Sequence, residues 1–326
     1  MYPYQKISIE QIDGFKIGQV THTDTGTGVT VIVAPEGATG GVDIRGGAPA
    51  SRETDLLRPE QTVDAVHAVV LAGGSAFGLE AASGVARQLA NKGIGLNVGV
   101  ARVPIVCSSC LFDLTYKSAT AFPDISDGIQ ATNNALEKSE QPVQTGSFGA
   151  GTGATVGKAM GPQHAMKSGL GTAAYQWGDL QIGAISAVNA CGNIYDPQTG
   201  KPIAGMNIDG TIVSMEDAAL SSLLSPNDQK FTPPLERTNT TISCVITNVP
   251  LTKAQATKVA QMAADAYAHV IKPTHTTNDG DTIYVLSRKD LHNERQTLTS
   301  IPLDIIGIAA THTLEDAIVC AARDAQ

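Results

Sequence analysis

Aromatic side chains are scarce in this chain, at 4% of 326 residues, and charged ones reach only 16%. The first scarcity argues against large aromatic-lined pockets. With 33 glycines beside it, it points to packing by small residues and to many tight backbone turns. The second comes with an acidic balance, a formal net charge of −9, and no basic run interrupts it. A uniformly acidic protein repels phosphate backbones, so nucleic-acid binding is not expected. The opening residues, Met1 to Lys6, lack the apolar core of a secretory signal. Gly, Asp or Lys interrupts every apolar run, so no membrane span or membrane partner is expected either, and the expected compartment is the cytoplasm. Cysteines number five, an odd count that reads as reduced thiols. Cys107 and Cys110 have the spacing of half a zinc site, but no second ligand pair lies near, so they read as two small buried residues.

What is present suits an ordered globular protein. Hydrophobic residues make up 42%, enough for a core in one large domain or two modest ones. Residues 27–34 alternate and are β-branched, and 66–71 form a short continuous apolar run; both read as strands. Residues 76–90 read as a helix ending before Gly93. Residues 146–158 are glycine-rich. Strands are expected at 172–176 and 181–189 around a Gly178-Asp179 turn, and a short helix at 214–224. The polar, proline-bearing stretch 225–239 reads as a linker. A strand at 240–247, a long helix at 252–271 stopped by Pro273, a strand at 282–287 and a helix at 305–323 complete the pass. Strands in pairs and helices in blocks predict an α+β fold rather than a regular parallel sheet.

Three familiar motifs fail on inspection. Ala154 and Val156 break a dinucleotide fingerprint over 149–153. Thr152 and Ala159 break a phosphate loop ending at Lys158. Phe77 stands where a nucleophile elbow needs glycine. The seven histidines show no metal-ligand spacing, and surface or capping roles are their default. No metal or organic cofactor is expected.

The constellation that carries chemistry begins at Asn239-Thr240. The linker ends there and a buried-looking strand begins. A cut before Thr240 creates a threonine with a free α-amino group, which holds nucleophile and base in one residue. The amine, with an unperturbed pKa of about 7.7–8.0, takes the hydroxyl proton near neutral pH. The plain alternatives are a strand threonine and a glycosylation sequon, the latter irrelevant without a secretory signal. Asp279-Gly280-Asp281 places two carboxylates at the mouth of a strand. They can orient the hydroxyl, hold the amine and carry a proton if repulsion raises one pKa; the alternative is a solvated Asp-Gly turn.

With these residues in place, the chain resembles the L-aminopeptidase/D-esterase family, which includes β-peptidyl aminopeptidases and endo-type nylon-oligomer hydrolases. The likeness runs over nearly the whole length. It is carried by Asp43 to Leu57 with Arg45 and Arg52, by Leu71 to Glu80 around Gly73-Gly74, and by Gly149 to Lys158. It continues in Asn239 to Asn248 and His275 to Thr282. The resemblance implies one αββα sandwich over 1–326 that cuts itself into a large chain, 1–239, and a small chain, 240–326. It implies Thr240 as nucleophile, Asp279 and Asp281 as the aspartate pair of the nylon-oligomer hydrolases, Lys158 as the lysine beside the nucleophile, and Asn189 as the oxyanion stabiliser. An amide N–H aimed at such an oxygen is worth roughly 3–4 kcal/mol.

The plain alternatives are an ion pair with an aspartate for Lys158 and a hairpin cap for Asn189. One departure concerns Phe112, which occupies a tyrosine position of those hydrolases and cannot donate a hydrogen bond to substrate. The backbone at Gly151 and Gly153 is expected to approach the substrate. The expected partner is a small peptide or amide substrate, and the expected assembly a homotetramer. Competing readings are an acyltransferase of the ornithine acetyltransferase kind and an uncleaved, non-catalytic binding protein.

Overall fold

A computed structural model of the chain describes residues 4–137, 141–221, 239–289 and 296–325. The framework consists of β1 (Lys16–His22), β2 (Thr27–Ile44), β3 (Val66–Ala72), α1 (Glu80–Asn91), β4 (Val106–Cys110) and α2 (Ile125–Glu137). It continues with β5 (Leu170–Trp177), β6 (Leu180–Asn189), β7 (Thr240–Thr247), α3 (Lys253–Ala263), α4 (Asp265–Val270), β8 (Thr282–Arg288) and α5 (Leu303–Arg323). The order across the main sheet is Gln5–Lys6, β5, β6, β7, β8, β2, β3, β4 and Ala50–Arg52, with β1 also paired to β2. Neighbours run antiparallel except the β7–β8 and β3–β4 pairs.

Strand β2 organises the molecule. Its first half pairs with β1 and β3, and its second half with β8. The register shifts between Val33 and Ala38, where Gly37 takes a left-handed φ of 80°. One long strand therefore links two half-sheets, which pack on each other through alternating side chains. Tyr284 and Leu286 face inward with Ile32, Leu71, Ile185 and Ile246, forming a core between the halves. Their strand neighbours Ile283 and Val285 face outward, with Ile182 and Val245, onto Val259, Tyr267 and Leu314 of α3–α5. Val29, Val31 and Val70 face outward on the other half, onto Val85 and Leu89 of α1 and Ala131 of α2. Three cores separate four layers, so the α+β chain is an αββα sandwich. Gly171 and Gly18 set the close helix–sheet approach: a Cβ at either would strike backbone of α5 or α2.

Most expected elements fall within a few residues of the observed ones. The helix expected at 76–90 opens with a 3-10 turn, Ser75–Leu79, before α1. The long helix expected at 252–271 is interrupted at Ala264 between α3 and α4 and closes as a short strand, Ile271–Lys272. The short helix is Met215–Ser221; its expected end and the linker up to residue 238 lie outside the described residues. Helix α2, strands β1 and β4, and the second half of β2, which runs past the expected end at residue 34 to Ile44, were not expected. Against the sequence reading, α5 is long and apolar enough to cross a membrane, with a mean hydropathy of 1.4; 61% of that window is buried inside the protein. It is apolar because it packs on β5, β6 and α3.

Candidate active site

The strand order brings three chain ends to one edge of the sandwich. Thr240 opens β7 and lies opposite Asn189, the last residue of β6, in the antiparallel register. Because β7 and β8 run parallel, Asp279 and Asp281 reach the same edge just before β8, and Asn239 forms a bridge with Asp279. Thr240 and Asn239 are both buried, 4% and 1% exposed. The Thr240 hydroxyl donates to the carbonyl oxygen of Asn239, across the bond expected to break. The Gly280 N–H donates to that same oxygen at 3.2 Å. Gly280 also has a steric role, since a Cβ there would stand 2.8 Å from Thr240 Oγ1.

The two carboxylates differ in surroundings. Asp281 accepts four hydrogen bonds: from Thr241 N (2.8 Å), Thr274 Oγ1 (3.1 Å), His275 N (3.0 Å) and His275 Nδ1 (2.9 Å). Asp279 Oδ2 accepts from Thr276 N at 2.6 Å, while its Oδ1 is buried with no hydrogen-bond partner among the described residues. Burial, then the charge of Asp281, pushes the Asp279 carboxyl up to about 6. The proton-carrying member expected from mutual repulsion is thus Asp279. The Asp43–Leu57 signature explains itself here. Gly46 N donates to the Asp281 carbonyl at 3.3 Å and Ala48 N to that of Asp279 at 2.8 Å. A Cβ on Gly46 would meet the backbone of Asp279 and Asp281, and Arg45 ties the end of β2 to the carbonyl of Gln261 at 2.7 Å.

Lys158 enters from the glycine-rich segment, whose backbone runs beside the end of β6 through Lys158 N to Cys191 O (3.1 Å). Its Nζ donates to Asn189 Oδ1 at 2.6 Å and to Asn189 O at 3.0 Å. Burial pushes its ammonium down to about 7, opposed by Cys191, Asp279 and Asp113. Asn189 donates through Nδ2 to the Phe112 carbonyl at 2.7 Å. Phe112 thus joins the site through its main chain. Its neighbour Asp113, buried, accepts from Gly74 N (2.7 Å) and Thr27 Oγ1 (2.8 Å), and burial pushes it up to about 6. Gly151 and Gly153 are buried behind this layer. Their missing side chains admit the backbone of Leu170 and of Gly26 together with Asp113. A cavity of about 470 Å³ opens beside the acidic loop, lined by Ala159, Cys191, Met215, Leu220, Pro273 and Thr276 among others.

Thr240, Asp279, Asp281, Lys158, Asn189 and the carbonyl of Phe112 therefore come together. The sequence reading passed over His275, Gly280 and Asp113. Gly280 carried a signal, the glycine between two acids, but only as a turn. His67 also departs from its default: it is 4% exposed and its Nδ1 accepts from Ile105 N at 3.2 Å. Cys107 and Cys110 are buried and free, as expected.

The layering and the meeting of strand ends define a class, that of the Ntn-hydrolase fold. Residues 8–326 match the model of peptidase family S58, and the chain belongs to that enzyme family. It is 35% identical to an uncharacterized aminopeptidase of Mycobacterium bovis, over 98% of this chain and 94% of that one. It is 29% identical to a 6-aminohexanoate-oligomer endohydrolase of Kocuria sp., over 95% of this chain and 84% of that one. Among solved structures it is similar to the L-aminopeptidase D-Ala-esterase/amidase of Ochrobactrum anthropi, described as a variant of the Ntn-hydrolase fold. The TM-score there is 0.63 at 19% identity, covering 98% and 86% of the two chains.

Proposed function

We propose that the chain cuts itself between Asn239 and Thr240, and that the freed Thr240 hydrolyses amide bonds of small peptides, amino-acid amides or their oligomers. The observation that carries this reading is the Thr240 hydroxyl resting on the Asn239 carbonyl oxygen, which also receives the Gly280 N–H. In maturation, Oγ1 forms a C–O bond to the Asn239 carbonyl carbon. The C–N bond breaks, its nitrogen takes a proton, and water then opens the ester. The Gly280 N–H faces the oxygen that gains charge. In this reading ionised Asp279, one oxygen of which accepts no hydrogen bond among the described residues, takes the hydroxyl proton, and the Lys158 ammonium offsets the alkoxide.

The mature enzyme repeats these steps on substrate, with the Thr240 amine as base, through an acyl-enzyme that water releases. Asn189 serves the substrate oxyanion with its amide. The apolar cavity beside the acidic loop suits the acyl part of an amide with an aliphatic chain, consistent with the aminopeptidase and the oligomer endohydrolase to which the chain is similar. Phe112 supplies apolar surface where a phenol would supply a hydrogen bond. The cleaved protein, chains 1–239 and 240–326 of one sandwich, is proposed to work in the cytoplasm as a homotetramer.

A denaturing gel tests the reading. Wild type should separate into pieces of 239 and 87 residues (326 − 239 = 87), and Thr240→Ala should stay whole and inactive on amino-acid amides. A Thr240→Ala chain that splits at the same bond would defeat it.

A further inference from the structure

His275 is a residue to which neither the mechanism above nor its spacing assigns a role. We propose that His275 is a positioning residue. Its ring and backbone N–H groups hold the Asp281 carboxyl in the position that anchors the Thr241 N–H, and thereby leave Asp279 as the member of the pair that exchanges a proton. This rests on the proposed role of Thr240 and adds to it the reason why two similar acids act differently.

Three observations converge. The imidazole Nδ1 meets Asp281 Oδ2 at 2.9 Å, and the same oxygen accepts the His275 backbone N–H at 3.0 Å, so side chain and main chain of one residue clasp one carboxylate. His275 adopts φ = 56°, in the left-handed region, which is unfavourable for a non-glycine residue and persists where surrounding contacts impose it. The ring is stacked on Tyr267, 5.6 Å between centroids at 21°. That tyrosine's OH is fixed by the nucleophile strand, through Ser243 Oγ at 2.6 Å and Thr241 O at 3.1 Å. The ring is thus held from one side by β7 and turned by its own backbone toward the acid that anchors β7.

The ionisable neighbours of Asp281 are few. Asp279 and the Cys191 thiol feel its charge, as does the phenol of Tyr267; Lys158 acts on the pair through Asp279. Arg45, close in sequence to the supporting Gly46, turns its guanidinium away to Asp43 and Asp265. No lysine or arginine is ion-paired with Asp281 among the described residues; its donors are the Thr241 and His275 backbone N–H groups, the Thr274 hydroxyl and the His275 imidazole.

Two substitutions separate the donor from the backbone. Asparagine tolerates the left-handed region and places an amide N–H at the same distance from the main chain as Nδ1. Glycine keeps the backbone and removes the donor. Freshly made precursors are compared by the rate of cleavage at Asn239–Thr240 across pH, a step in which Asp279 is the proton acceptor. His275→Asn should keep the rising limb of that rate at its wild-type position. His275→Gly should move that limb upward by about one pH unit. An unmoved limb in His275→Gly, or a shift in His275→Asn as large as in His275→Gly, overturns the proposal. Should the glycine variant not cleave, His275→Ala, which also lacks the donor, takes its place, and a limb no higher than that of His275→Asn overturns the proposal. A wild-type protein that is uncut at Asn239–Thr240 would sink the underlying reading instead, and intact mass of the starting protein distinguishes the two failures.

Discussion

Asp279 and Asp281 flank a single glycine, yet one collects four hydrogen bonds and the other has an oxygen with none among the described residues. This asymmetry sets a pH dependence for maturation. The Asp279 carboxyl, raised to about 6 by burial and by Asp281, is ionised and able to accept a proton only above that pH. The Lys158 ammonium, lowered to about 7 by burial, is charged only below that pH. Cleavage of freshly made precursor should therefore speed up as pH rises through 6 and slow as it rises past 7. Time courses on denaturing gels between about pH 5 and about pH 9 measure this. Lys158→Arg, whose guanidinium keeps its charge, should lose the slowing limb; a limb that persists unchanged would assign it to another group. At this scale the spacing Asp279–Gly280–Asp281 and the position of Thr240 were legible in the sequence. The division of labour was not, because it depends on donors from Thr241, Thr274 and His275 that come together only when β7 and β8 align.

Among the elements, the legible ones announce themselves by composition. TTISCVIT and TIYVLSR are β-branched runs, and both are strands. Helix α2 escaped because ISDGIQATNNALE contains a glycine and two adjacent asparagines, poor helix formers alone. It forms because Asp124 Oδ1 accepts from Ser126 N (2.7 Å) and Asp127 N (3.1 Å) at its start, and because Gly128 lets it lie against α1. Strand β4, VCSSC, escaped because small residues buried on both faces leave no alternation to read. The same smallness makes the layers intolerant of added atoms. Gly171 on β5 faces the carbonyl of Ala317 in α5 with no room for a Cβ. Gly171→Ala should lower stability by about 2 kcal/mol, within the usual range for overpacking, and thermal unfolding would register it as a drop in melting temperature. An unchanged midpoint would mean that α5 shifts without cost.

For the whole molecule, the proposed cut falls in a place that need not loosen the fold. Strand β7, the first of the small chain, is paired along its length with β6 of the large chain, and β8 pairs with both β7 and β2. The two pieces should therefore co-elute as one particle in native size-exclusion chromatography and separate only in denaturant. Separation under native conditions would contradict the pairing. The amino-acid sequence by itself determined the family resemblance, the nucleophile candidate, the acid pair and the alternation of the inner strands, because local composition and short spacing encode these. It also determined that small residues, not aromatics, would fill the layers. Only the tertiary structure decided that Asn189 stands opposite Thr240, that Lys158 reaches them from a different segment, and that His275 grips Asp281. Those neighbours are distant in the chain or hidden in ordinary-looking residues. They become neighbours because a long bent strand joins two half-sheets and brings the ends of β6, β7 and β8 to one buried edge.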